Sequence, residues 1–225
     1  MEAVSGKSPM AKYWMHVGFL TINGQKMSKS LKNFITLKDF LRRYSEKYLR
    51  YFIIRNLWRS PVDYSESTMI EVKSSLSRIE EFLRRVNEIK KRAKTVKSTG
   101  ALKLVQKAKA DFYSELDDDF NTPKAFAVLF DLIKDINKFI DENNLSKKEA
   151  AEVFKLFQEI DKIFSMIDFK IIQKSIPASV KKLVQLREKY RKEQSWKKSD
   201  EVRLQIEKHG YVVDDTKDGP VIRVM

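Results

Sequence analysis

The segment Lys26-Met-Ser-Lys-Ser30 places two ammonium groups and two hydroxyls within five residues. That set suits a triphosphate. Lysine ammoniums neutralise charge that develops on phosphate oxygens during displacement, and a loop that closes supplies them only when needed. A solvated basic loop could carry the same residues without any chemistry. Placement favours the phosphate reading. "HVGFLTINGQKM" alternates polar and apolar residues around Asn23-Gly24, a pair that tolerates the positive φ of a tight hairpin turn. The pattern predicts a strand, a turn, and a lysine-rich loop delivered just before a capped helix.

A second set lies in "RKEQSWKKSDEVR". Trp196 stands among arginines and lysines, where it can stack on an unpaired base while Arg191 bonds a base edge or a phosphate. Asp200 is a natural acceptor for guanine N–H groups, and Asp215 for a cytosine amino group. The competing reading makes Trp196 a core anchor, Asp200 a charge at a helix N-terminus, and the rest a solvated face. Two other candidates read as structural. His16 has no neighbouring partner for a metal or a proton relay. Asp117, Asp118 and Asp119 could hold a divalent cation, but they fit better as charges before the positive end of a helix.

The fold these sets need is mainly helical. Thr36 and Asp39 make a capping-box pattern before "LKDFLRRY". Ser45 can cap "EKYLRYFIIRNLW", whose Tyr48, Leu49, Phe52, Ile53 and Leu57 recur at helical spacing. After Pro61, Ser65 or Ser67 starts a long helix with Ile70, Leu76, Ile79, Leu83, Val86 and Ile89 as its stripe. "KKRAKTVKSTG" reads as a linker. Helices follow over 101–116, from a Thr122 cap with Pro123 at the first position, and over 146–167. Together they predict an up-and-down bundle of four or five helices between about 65 and 170. A basic helix over 178–193, with Val180, Leu183, Val184 and Leu186 inward, precedes a short helix from Ser199 to Lys208. Gly210 stops that helix, and a hairpin turns around Lys217-Asp218-Gly219. The expected divisions are 1–64, carrying the loop and its contact helices; 65–172, the bundle; and 173–225, a small α/β element.

Composition narrows the partners. The 225 residues hold 45 Lys and Arg against 31 Asp and Glu, a formal charge of +14 that makes a polyanion the first partner to consider. A charged surface of the heat-adapted kind gives the same balance. There is no cysteine, which excludes disulfides and thiolate metal sites within the chain and fits a reducing cytoplasm. No apolar run approaches the roughly 20 residues of a membrane span, and no signal peptide is visible. The N-terminal "MEAVSGKSPMAKYW" does not read as the start of a domain.

The lysine segment is the second signature of class I aminoacyl-tRNA synthetases, and the longer "YWMHVGFLTINGQKMSKSLKNF" resembles its cysteinyl-tRNA synthetase form. So do "YFIIRNLWRSPVDYSE", "LDDDFNTPKAFAVLFDL" and "SWKKSDEVRLQIEKHGYVVDDTKDGP", in that family's order. Methionyl- and leucyl-type enzymes share the loop but not the last two blocks. The resemblance implies a ligase that activates cysteine with ATP and transfers it to its tRNA. It implies that Lys26 and Lys29 are catalytic, with Lys29 contacting ATP and Met27, Ser28 and Ser30 completing the loop. It also implies that Arg191, Trp196, Asp200 and Asp215 read the GCA anticodon. Lys32 departs from the family's common glycine, which would stiffen the loop or add a phosphate contact. The family's earlier nucleotide signature and its zinc ligands are not seen here, where there are 0 Cys and 2 His. The chain therefore resembles the C-terminal part of the enzyme, starting just after the metal site. Zinc is expected in the full enzyme and not on this chain, which alone should not activate cysteine. The expected partners are ATP and the cysteine tRNA, with no membrane, in the cytoplasm. The alternative is a stand-alone tRNA-binding module without catalysis.

Overall fold

The computed structural model describes residues 1–91, 100–173, 177–216 and 219–224. A short helix, α1 (Glu2–Ser5), precedes coil. Strands β1 (Leu20–Ile22) and β2 (Gln25–Lys26) then pair antiparallel, Thr21 opposite Lys26. Asn23 and Gly24 turn between them with φ of 50° and 75°, the positive values a two-residue hairpin demands. Strand β3 (Val62–Tyr64) pairs with β1 in parallel, giving the order β2-β1-β3. A parallel pair needs a crossover. Here it consists of α2 (Leu37–Arg43) and α3 (Glu46–Ile54). Thr36 caps α2, accepting from the Asp39 N–H at 3.0 Å. In α3, Tyr51 and Phe52 are buried, whereas Ile53 stays exposed, as does Leu57 beyond the end of the helix at Ile54. Ile53 lies about 150° round the helix from the middle of the Tyr51–Phe52 arc, on the side away from the core.

Helix α4 (Glu66–Lys91) is the spine. Ser65 caps it, its Oγ accepting from the Thr68 N–H at 3.1 Å. Met69, Val72, Leu76, Ile79, Leu83, Val86 and Ile89 form the buried stripe. Ile70, expected in that stripe, is 67% exposed; Met69 holds its phase. Around α4 lie α5 (Ala101–Asp117), α6 (Thr122–Asp141), α7 (Lys147–Phe164) and the short α8 (Phe169–Gln173). This is the helical bundle expected from the periodicity. The linker proposed over 90–100 falls mostly on 92–99, outside the described residues. Phe82 meets Phe157 at 5.5 Å, Phe126 stacks on Phe164 at 5.0 Å, and Tyr51 of α3 meets Phe126 at 5.0 Å. The crossover helices and the bundle therefore share one core.

The cap of α6 differs from the expectation by one residue. Asn121, not Thr122, accepts from the Lys124 N–H, and the Thr122 hydroxyl donates to the Asn56 carbonyl at 3.2 Å. Asp119 and Phe120, at φ of 54° and 53°, deliver the chain to that cap. Asp119 acts by pairing rather than by helix polarity alone. Its carboxylate receives the Arg59 fork at 3.0 Å on each oxygen, and its carbonyl accepts from Trp58 Nε1 at 2.9 Å. Arg59 holds the Asp119 carboxyl below its ordinary value.

The final unit has its own small core of Val180, Val184, Val202, Ile206 and Val213. It comprises α9 (Ala178–Lys192), α10 (Trp196–Lys208), and the hairpin of β4 (Tyr211–Thr216) and β5 (Gly219–Val224). Helix α10 begins at Trp196, three residues before the expected Ser199, which is buried within it. Leu186, expected inward, is 38% exposed; Arg187 takes the inward place. Strand pairing supports the hairpin, while its turn residues 217 and 218 lie outside the described residues.

One carboxylate joins two helix starts. Glu149 is fully buried and completes a capping box with Ser146, whose N–H and Oγ donate to Oε2 at 3.0 and 2.6 Å. Its Oε1 accepts from the N–H groups of Gly100 and Ala101, both at 3.2 Å, at the start of α5. Both helices thus place their positive ends on a single anion. Leaving buried donors unpaired costs about 1–3 kcal/mol apiece. Glu149→Ala should lower stability in urea by about 3 kcal/mol, and Glu149→Gln, which keeps an acceptor, by about 1 kcal/mol. An unchanged midpoint for the alanine variant would contradict this role.

Candidate phosphate loop and nucleic-acid interface

Beyond β2 the chain folds back on itself, and Asn33 closes the fold. Its Oδ1 accepts from the Ser28 N–H at 2.9 Å and its Nδ2 donates to the Lys26 carbonyl at 3.2 Å. The Lys32 N–H donates to the Lys29 carbonyl at 3.2 Å. Ser28 Oγ lies 3.0 Å from Ser30 Oγ and accepts from the Leu31 N–H at 3.2 Å. Met27 and Ser28 are half-buried; Lys26, Lys29, Ser30 and Lys32 are exposed. The Lys26 ammonium sits 5.2 Å from the Phe19 ring centroid, and that of Lys29 sits 5.9 Å from Phe34. No carboxylate among the described residues pairs with either lysine. Aromatic faces keep these cations near the loop without neutralising them, which leaves their charge for an incoming anion. Lys32 takes φ of 53°. A glycine enters that region freely, and a residue with a β-carbon enters it at a cost of roughly 1 kcal/mol. The loop therefore keeps a backbone that suits glycine, with lysine in its place. His16 stands in solvent.

At the other end, α9 and α10 bring the second set together. Arg187 is 3% exposed and forks onto Asp215 of β4, NH1 to Oδ1 at 2.8 Å and NH2 to Oδ2 at 2.9 Å. Arg191, one turn on, reaches Asp215 Oδ2 at 3.1 Å, and its guanidinium lies 6.0 Å from the Trp196 ring centroid. Trp196 is 59% exposed, so it is not a core anchor. Asp200 is exposed one turn beyond Trp196 on the same helix. Because α10 starts at Trp196, Asp200 lies past the first turn and is no N-terminal charge. Arg191, Trp196 and Asp215 thus form one cluster, with Asp200 beside it. Its chemistry is an open aromatic face flanked by cations and carboxylate acceptors, which suits an unpaired base. Asp215 is more committed than the sequence suggested. Arg187 takes one acceptor site on each of its oxygens, and Arg191 adds an ion pair at Oδ2.

Three family models match the chain in succession. Residues 1–74 match the class I (C) tRNA synthetase catalytic domain, 111–168 the DALR domain, and 173–223 the cysteinyl-tRNA ligase anticodon binding domain. The chain belongs to the cysteine–tRNA ligase family. Proteins named cysteine–tRNA ligase align over nearly its whole length. The one from Chlamydia abortus is 34% identical over 96% of this chain and 45% of its own length. Those from Thermodesulfovibrio yellowstonii and Thermococcus gammatolerans are 33% and 32% identical over 99% and 93% of this chain. The chain spans a little under half the length of these relatives. The lysine loop lies within the catalytic-domain match, and the Arg187–Asp215 cluster within the anticodon-binding match.

Sequence reasoning missed Arg187 and Asn33. Arg187 had a readable signal: it follows Val180 and Val184 at i+7 and i+3, a charge on the phase of an apolar face. Asn33 had none, because its role depends on a loop closure that spacing does not encode. Arg187, by its hydrogen bonds, holds the Asp215 carboxyl below its ordinary value of 3.8. A depressed folded pKa contributes stability above the unfolded value, and that contribution fades as pH falls through the folded one. Amide protection of β4 should therefore decline as pH drops below 3.8, the ordinary value. In Asp215→Asn it should be lower at neutral pH and nearly flat across the same range. A wild-type profile as flat as the variant's would contradict the pairing.

Proposed function

We propose that the chain is the loop-bearing and tRNA-binding portion of a cysteine–tRNA ligase, which activates cysteine with ATP and transfers it to its tRNA. The observation that carries the reading is Trp196, an exposed aromatic face beside the Arg191 guanidinium in a segment matching an anticodon-binding domain. In this reading residues 1–64 end the catalytic unit, 65–172 align the tRNA, and 173–225 read the anticodon. Arg191 holds a phosphate or base edge, Trp196 stacks on a base, and Asp200 accepts from its N–H groups. Asp215 positions the arginines and offers its remaining acceptor capacity to a base. Lysines on the outer faces of the bundle follow the RNA backbone.

ATP, when bound, supplies the activated phosphate that the cysteine carboxylate attacks. Lys29 is the cation expected nearest that phosphate, with Lys26 beside it. Ser28 and Ser30 offer hydroxyls, and Met27, half-buried, completes the loop. Unpaired ammoniums on a closed loop fit such a polyanion. Among the described residues no group of three or more His, Cys, Asp or Glu could hold a metal ion, and no step here runs through zinc. Tyr13, Trp14, Val17 and Phe19, all exposed, are where the rest of a catalytic domain would pack. A cytoplasmic site of action follows from that reaction. No helix among the described residues is long and apolar enough to cross a membrane. A tRNA-binding module without a catalytic role is not favoured, because the lysine loop and its sheet lie within the match to a catalytic domain.

Stacking on an aromatic side chain is worth about 1–3 kcal/mol per base. Trp196→Ala should weaken binding of the cysteine tRNA by about five- to 150-fold. Asp200→Ala should weaken it less, and should narrow the preference for that tRNA over one with a changed anticodon. Filter binding or anisotropy at fixed salt measures both. Equal binding by wild type and Trp196→Ala would overturn the assignment.

A further inference from the structure

The lysine loop hangs from a very short ladder. Strands β1 and β2 share two residue pairs, and β1 and β3 share three. So little pairing does not hold a hairpin by itself. The additional hold comes from residues 58–64. Asp63 lies beside Thr21 in the parallel register. Its Oδ1 accepts from the Thr21 hydroxyl at 2.6 Å and from the Gly24 N–H at 2.7 Å, the second residue of the turn. The Asn23 N–H donates to the Tyr64 carbonyl at 3.0 Å. On the entering side of β1, the Gly18 N–H donates to the Trp58 carbonyl at 2.8 Å. A β-carbon at position 18 would stand 2.1 Å from the Ser60 carbonyl oxygen, so only glycine allows this approach. The strap itself is moored to the bundle, through Trp58 and Arg59 on Asp119.

Within the loop, Asn33 already fixes the shape between Lys26 and Ser28. What remains to be set is the direction in which the loop leaves the sheet. That direction is determined where the turn meets the strap, and there Asp63 is the one side chain among the described residues seen to accept from both the strand and the turn. We infer that Asp63 is a positioning residue for the lysine loop: its carboxylate oxygen, held by Thr21 and Gly24, aims Lys26 and Lys29. The functional half of this statement rests on the reading of the loop as a phosphate site. The chemistry requires an acceptor at Oδ1 and not a negative charge. An asparagine oxygen serves equally, and an alanine does not.

The test uses the full 225-residue chain as wild type, Asp63→Ala and Asp63→Asn. Hydrogen–deuterium exchange is followed at residues 20–34, and inorganic tripolyphosphate is titrated in parallel. Asp63→Ala should speed exchange at Asn23 and Gly24 by about five- to tenfold, the loss of roughly one hydrogen bond. Amides of α4 and α6 should keep their wild-type rates, which shows that the bundle is intact. The same variant should bind tripolyphosphate several-fold more weakly, and Asp63→Asn should restore both readouts. Wild-type exchange in the alanine variant would overturn the inference, as would an asparagine variant as loose as alanine. If wild type fails to bind tripolyphosphate, the phosphate reading falls, and the exchange result alone decides whether Asp63 positions the loop.

Discussion

Helix α4 is the constraint on which the two ends of the molecule depend. At its start, Ser65 follows directly from β3, which carries Asp63 and the loop hairpin. Two-thirds of the way along, Arg84 reaches out of the bundle and donates to the Ile222 carbonyl of β5 at 2.6 Å. Lys181 of α9 adds an ion pair with Glu88 at 3.3 Å. Eighteen residues of helix separate Glu66 from Arg84, about 27 Å at 1.5 Å per residue. A continuous helix with its stripe buried against α6, α7 and α8 does not bend freely over that length. The loop sheet and the C-terminal hairpin are therefore held apart on one rod. Arg84 is a demanding joint, since its side chain is only 10% exposed. Its neighbour Glu81 has its carboxyl pushed up by burial, with Arg84 and Arg85 acting the other way. Removing Arg84 would leave a half-buried carbonyl and a half-buried carboxylate without their donor.

Carboxylates do much of the joining elsewhere. Glu149 unites the starts of α5 and α7, Asp119 moors the 58–59 strap to the bundle, and Asp215 binds α9 to β4. In a chain of net charge +14 these acids are not spread as a neutralising film. They sit at joints, and the lysines of the loop are left without acidic partners among the described residues. That division of labour fits a surface meant to meet a polyanion.

The sequence was most legible where period and cap agree. The Asn23-Gly24 turn, the Thr36 cap, the helix start near Ser146 and the bundle stripe all follow from local rules. The misplaced apolar positions share one cause, which is phase. Ile70, Ile53 and Leu186 are apolar residues adjacent to the true inward positions, and a hydrophobic side chain one residue out of phase looks the same in a string of letters. Arg187 is the converse case, a charge on the inward phase that becomes tolerable only because Asp215 arrives from 28 residues away. The set Arg191, Trp196, Asp200 and Asp215 was legible as chemistry, but the engagement of Asp215 by two arginines was not. Tertiary pairing decides that, and no local pattern encodes it.

In the proposed reading one chain presents two separate anion-facing sites, and the C-terminal one reads an anticodon. Hydrogen–deuterium exchange with the isolated anticodon stem–loop of the cysteine tRNA tests it most directly. The account predicts slowed exchange in residues 187–200 and 211–216, with residues 20–34 at their free rates. Protection of the lysine loop by that short RNA, or none in the α9–α10 and β4 segments, would contradict it.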